Sequence, residues 1–155
     1  MNRTAKLLPG GWRLTSDPGA LLRGRVERGL SAHNLRRGRE ISGVDMLAWG
    51  RRRLDRVVRD PAGEVAGGII AGTRWKWLEV ATLWLREDIR GQGLGRALLL
   101  DAEEAARAAG CDRAILTTLS FQARGFYERL GYQVIGVQKE WLPGVDHFAM
   151  VKELS

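Results

Sequence analysis

Three glycines at alternate positions, Gly91, Gly93 and Gly95, lie inside the run Arg90-Gly91-Gln92-Gly93-Leu94-Gly95-Arg96. An apolar stretch over residues 80–85 precedes them, and Leu98, Ala102, Ala105, Ala106 and Ala109 follow at helical spacing. A strand, a glycine turn and a helix start make an anion site together. The first amides of a helix have no intrahelical partner, and the helix dipole places partial positive charge there. Glycines let a phosphate reach the main chain without meeting a Cβ atom. The sequence therefore predicts a phosphorylated ligand on residues 91–96. An ATP-type loop would need Lys and Ser or Thr after the second glycine, which this run lacks. A dinucleotide fingerprint would read G-x-G-x-x-G near the start of a doubly wound domain, whereas here G-x-G-x-G stands mid-chain.

The elements that must hold this turn are set by the rest of the chain. With 155 residues, 45% of them hydrophobic, the chain suits one domain over residues 1–155, with residues 1–10 as a flexible tail. No apolar run reaches the roughly 18 residues that span a membrane, and the N-terminus lacks the apolar core of a signal peptide. The single cysteine, Cys111, forms no internal disulfide, in keeping with a cytoplasmic location. The net charge of +7 comes largely from arginines, clustered at Arg36, Arg37 and Arg39 and at Arg51, Arg52, Arg53 and Arg56. Such clusters would suit a nucleic acid, but a solvated basic surface is the expected reading, and one that would also attract phosphates.

Along the chain, residues 12–14 read as a first strand and Ser16-Asp17-Pro18 as a helix cap. A helix over 18–33 would place Leu21, Leu22, Val26 and Leu30 on one side. Residues 38–50 carry no clear pattern. A meander follows: a strand over 54–59, a turn at Asp60-Pro61-Ala62-Gly63, a strand over 65–73 whose Gly67 and Gly68 suggest a bulge or close packing, and a strand over 77–85. The helix over 95–109 ends at Gly110 as its C-cap, and a short strand covers 113–119. Ser120 could cap a helix ending at Gly131, and strands over 134–137 and 147–151 close the chain.

Residues 90–95 resemble the acyl-CoA signature of the GNAT superfamily of N-acetyltransferases. The later run Ala123-x-x-Phe126-Tyr127-Glu128-x-Leu130-Gly131-Tyr132 resembles that family's late motif, at the usual distance. Residues 50–155 carry the resemblance well and residues 1–50 only loosely. It implies a mixed α/β fold, with a central twisted and mostly antiparallel sheet of six to seven strands flanked by about four helices. Acetyl-CoA would lie where two middle strands split, with no metal. The reaction would be transfer of its acetyl group to a primary amine of a small molecule or protein. The alternative is a non-catalytic acyl-CoA-binding regulator, or a nucleic-acid binder, of the same fold. A homodimer is compatible with the sequence.

The resemblance also implies roles. Main-chain amides of Leu83, Trp84 and Leu85 would hold the thioester carbonyl and pantetheine. Gln92, Gly93, Leu94, Gly95 and Arg96 would hold the pyrophosphate, Arg90 and Arg96 adding charge, with Gly91 opening the turn. Tyr127 is the general-acid candidate, since a phenol with a pKa near ~10 keeps a proton to give to a thiolate; a packed, hydrogen-bonded tyrosine is the other reading. Glu79, the only carboxylate over 77–85, is the base candidate, set against a strand-face glutamate paired with an arginine. Trp75, Trp77, Trp84 and Trp141 could line an aromatic acceptor pocket or belong to core and interface packing. His33 and His147 lack ligand spacing.

Overall fold

The computed structural model describes residues 6–14, 19–45, 47 and 50–154. It divides into two compact units, Met1–Ala48 and Trp49–Ser155. In the first, β1 (Lys6–Leu7) pairs antiparallel with β2 (Arg13–Leu14) around a 3-10 turn at Pro9–Gly11, inside the stretch that reads as a tail. The helix α1 (Gly19–Ser42) runs well beyond residue 33. Helix-forming Leu, Arg and Glu continue through this stretch, and Arg36 and Arg37 meet Glu40 one turn away. It stops where Gly43 adopts φ +68° and donates to the Arg39 carbonyl at 2.9 Å. The cap expected at residues 16–18 lies outside the described residues.

The second unit carries one six-stranded sheet in the order β3-β4-β5-β6-β8-β7. Its strands are β3 (Arg56–Arg59), β4 (Val65–Arg74), β5 (Trp77–Leu85), β6 (Arg113–Leu119), β7 (Gln133–Leu142) and β8 (Val145–Glu153). Every neighbouring pair is antiparallel except β5 and β6, the two middle strands, which run parallel. With α2 (Leu94–Ala108) and α3 (Arg124–Arg129), the described residues hold three α-helices where the resemblance implied about four.

The apolar spacing read from the sequence is what packs α2. Leu98, Leu99, Ala102 and Ala106 are buried with Ile69, Ala71, Leu78, Val80, Ala114, Leu116 and Met150 in one core. Both helices of this unit end alike. Cys111 N–H donates to the Ala106 carbonyl and Gly110 N–H to Arg107, while Tyr132 N–H donates to Tyr127 and Gly131 N–H to Glu128. In each case a glycine with positive φ closes a Schellman-type cap. The start of α3 differs from expectation. Ser120 does not cap it: its N–H donates to the Asp146 carbonyl at 2.9 Å and its Oγ accepts from the Asp146 N–H at 3.2 Å, so the loop is tied to β8 and the helix begins only at Arg124.

Among the described residues no helix is long and apolar enough to cross a membrane, and no cluster of His, Cys, Asp and Glu could hold a metal ion. Cys111 is buried, and burial pushes its thiol above the ordinary value.

Candidate active site

The site begins as an interruption in a ladder. Leu78 and Val80 point into the core, and strict alternation would send Thr82 and Trp84 after them. Instead the register of β4 on β5 shifts, Ile70 facing Thr82 and Ala71 facing Val80, so Ala81 is an extra residue. Beyond the bulge Leu83 and Leu85 face the core, while Trp84, opposite Gly68, turns to the other face. Pairing of β5 with β6 also stops there: Val80 opposite Leu116 is the last pair, although the strands continue to Leu85 and Leu119. The two middle strands diverge, as the resemblance implied.

Two cavities occupy the split, of about 600 Å³ and about 610 Å³, and they share Leu83, Leu85, Arg90, Ala123 and Tyr127. The first extends to the glycine turn and adds Gly91, Gly93, Gly95, Arg96, Phe126 and Arg129. The second opens the other way, toward Thr82, Trp84, Thr117, Thr118, Phe121 and Gln122. Residues 83, 85, 90, 91, 93, 95, 96 and 127 from the sequence reading thus line one cavity, and residue 84 lines its neighbour. Arg129 escaped that reading because it occupies an unspecified position of the late motif. Phe121, Thr117 and Thr118 escaped it because only the split reveals them.

The turn between β5 and α2 is held rigidly at its start and left open at its end. Arg86 donates to Asp88 at 2.7 and 3.0 Å and to Asp60 at 3.0 Å, and its amide bonds the Ala66 carbonyl. The Arg86 guanidinium, helped by the Glu64 and Ala62 amides, holds the Asp60 carboxyl below the ordinary range, and it does the same to Asp88. Arg90 Nε donates to the Leu85 carbonyl at 2.9 Å, and Gln92 Nε2 to the Asp88 carbonyl at 3.3 Å. Gly91 and Gly93 then take φ +75° and +83°, and no atom lies within 4 Å of where a Cβ would stand on either. Gly93 caps α2 with no side-chain hydrogen bond, leaving the first helical amides facing outward. Among the described residues, Arg96 and Arg129 have no acidic partner. Uncapped amides, vacant space at two glycines and two unpaired guanidiniums fit a phosphorylated ligand.

Tyr127 is buried on α3, its ring edge-on to Phe126 at 5.1 Å and to Tyr132 at 5.8 Å. Burial pushes its phenol above the ordinary value, so it is protonated at neutral pH. Among the described residues its hydroxyl has no hydrogen-bond partner, in contrast to Tyr132, whose hydroxyl donates to the fully buried Glu103 at 3.1 Å.

Glu79 is placed otherwise. It stands in the closed half of β5, half-exposed, with Arg74 Nε at 2.7 Å and Arg51 at 3.6 Å, and it lines neither cavity. The structure does not bring it together with Tyr127. Of the four tryptophans considered, only Trp84 reaches the split; Trp77 lies under the Arg113 guanidinium at 5.5 Å, and Trp141 stacks on His147 at 4.9 Å. Several clustered arginines face carboxylates: Arg53 with Asp55, Arg56 with Asp101, Arg51 with Glu79.

Comparison with known proteins agrees with this geometry. Residues 32–132 match the model of the acetyltransferase (GNAT) family. Blasticidin-S acetyltransferase of Streptomyces morookaense is 42% identical over 93 residues, 59% of this chain and 68% of that protein. An acetyltransferase of Agrobacterium fabrum is 40% identical over 86 residues, 56% of this chain and 63% of that one. The matches therefore span about two thirds of these curated relatives' length. The crystal structure of an acetyltransferase from Bacillus cereus superimposes with a TM-score of 0.79 at 24% identity, covering 89% of this chain and 95% of that one, and so shares its fold.

Proposed function

On the premise that this chain belongs to the acetyltransferase (GNAT) family, we propose that it transfers the acetyl group of acetyl-CoA directly to a primary amine of a small molecule. The observation that carries the reading is the split between β5 and β6, where the glycine turn, the uncapped start of α2 and a buried protonated tyrosine open onto one continuous space. A relative named for blasticidin-S supports a small-molecule acceptor over a protein.

In this reading the pyrophosphate rests on the amides of residues 92–96, with Arg96 and Arg129 beside it and Gly91 and Gly93 keeping the approach clear. The pantetheine arm runs into the split along residues 83–85. Amides of Leu83, Trp84 and Leu85 donate to the thioester oxygen and stabilise the negative charge it gains. The neutral amine attacks the carbonyl carbon, the C–S bond breaks, and the departing thiolate takes the Tyr127 hydroxyl proton. The nitrogen loses its proton to Glu79 through water, since that carboxylate stands two residues before the bulge and outside both cavities. The test is thiol release from acetyl-CoA against a panel of small amines, beside calorimetry with CoA alone. Heat with CoA and amine-dependent thiol release are expected. Absence of heat overturns the reading.

A further inference from the structure

Two large aromatic side chains stand exposed on opposite walls of the second cavity. Trp84 is 50% exposed on the open half of β5, and Phe121 is 66% exposed in the loop after β6. Exposing either ring to water is unfavourable by the burial it forgoes, and neither sits on a loose support. Trp84 pairs with Gly68, and Gly67 lets the neighbouring strand pass so close that a Cβ there would lie 2.5 Å from the Trp84 carbonyl. Phe121 lies between two anchored neighbours. Ser120 is bonded twice to Asp146 of β8, while the Gln122 side chain accepts from the Leu119 N–H at 2.8 Å and from the Thr118 hydroxyl at 3.3 Å. The same cavity carries two short hydroxylic side chains, Thr82 of β5 and Thr117 of β6.

Resting on the acetyl-transfer reading, we propose that this open face of the split is an acceptor subsite for an amine carried on a planar aromatic ring, held between Trp84 and Phe121. Two aromatic side chains lining one cavity from anchored main chain offer π-surfaces whose stacking partner is a flat ring, and an anchored main chain lowers the ordering cost of binding it. The threonine hydroxyls and the Gln122 amide group can meet polar substituents at the ring's edge. An aliphatic polyamine or a lysine side chain, by contrast, has no flat face to place between the two rings.

The test uses two amines of like size and like attachment of the nitrogen, benzylamine and cyclohexylmethylamine, which differ chiefly in planarity. Thiol release by the full chain should favour benzylamine in kcat/KM by about tenfold or more, since each ring–ring contact corresponds to about 3- to 10-fold. Phe121→Leu should bring that ratio toward one while KM for acetyl-CoA stays within about twofold, and Trp84→Leu should lower the ratio as well. Equal use of both amines, preference for spermidine or a peptide amine, or a ratio surviving both substitutions overturns the slot and leaves acetyl transfer standing. CoA heat without turnover of any ring-bearing amine also overturns it. Only absence of CoA heat strikes the reading beneath.

Discussion

From Trp77 to Val80, β5 is hydrogen-bonded to β4 on one edge and to β6 on the other; from Thr82 to Leu85 only the β4 edge is paired. The two halves have similar composition, each with a tryptophan and aliphatic residues. In the closed half the polar side chain, Glu79, is neutralised by two arginines, and Leu78 and Val80 are buried. In the open half the main-chain edge toward β6 has no strand partner, and the adjoining space holds Tyr127 and the glycine turn. One extra residue, Ala81, separates the halves. A ladder that closes stabilises the sheet, and one that stops leaves a row of donors and acceptors for a ligand. Chemistry should therefore follow the open half closely and the closed half weakly.

The largest expected effect tests the open half at Tyr127, the general acid of the proposed reaction. Tyr127→Phe keeps the ring contacts with Phe126 and Tyr132 and removes only the hydroxyl. It should lower kcat by about 10²- to 10⁴-fold, the usual range for loss of a general acid, with KM for acetyl-CoA unchanged. Full turnover in this variant would remove the assignment. Next comes a disturbance from behind. Gly67→Ala sets a Cβ 2.5 Å from the Trp84 carbonyl, forcing the open half away from β4. It should reduce kcat/KM by up to about 10²-fold, as misplacement of reacting groups by about an ångström can, and lower the melting temperature. If the melt falls while turnover holds, the geometry of residues 83–85 is not critical.

The closed half should be quieter. Glu79→Gln leaves the split intact, and in the proposed reaction Glu79 takes the proton only through water, so the expected loss in kcat is about tenfold at most, below the range for a base in direct contact. A loss as large as that of Tyr127→Phe would show that the closed half reaches the chemistry and would erase the distinction between the halves.

What could be read in the sequence follows from which signals are local. Alternating glycines and a 3.6-residue apolar period need no partner, so the turn and α2 stand within a residue of expectation, Leu94–Ala108 against 95–109, with Gly110 in its cap. The start of α3 was hidden because Ser120 is claimed by Asp146, which is 26 residues away. Trp84 could not be told from Trp77 because the alternation that sorts a strand's faces is reset by Ala81, and a bulge leaves no mark in composition. The arginine partners of Glu79 come from a hairpin neighbour, Arg74, and from Arg51, whose approach depends on the sheet edge. The extension of α1 past residue 33 rested on ion pairs with Glu40 that an apolar stripe does not show.

The smallest effect concerns how the open half is fastened, since lacking β6 it depends on its ends. Just past Leu85, Arg86 binds Asp60 of the β3–β4 turn and Asp88 of the glycine turn, and its N–H holds Ala66. Both carboxyls lie below their ordinary value of 3.8 in the fold, chiefly through their hydrogen bonds from Arg86. The folded chain thus favours their charged forms more than the unfolded chain does. The stability they contribute is complete above the ordinary value and is lost as pH falls below it through the lowered values. Because Asp88 is exposed and Asp60 only part-buried against the half-exposed Arg86, screening keeps the contribution small. Asp60→Asn should accordingly lower the melting temperature slightly near pH 6, and the gap to the parent chain should narrow as pH falls below 3.8 through the lowered value, where the parent loses the same charge. A gap between the two melts that does not narrow as pH falls below 3.8 would mean that Asp60 acts through its turn amides and not through Arg86, leaving Arg86 to fasten this end through its Ala66 and Asp88 bonds.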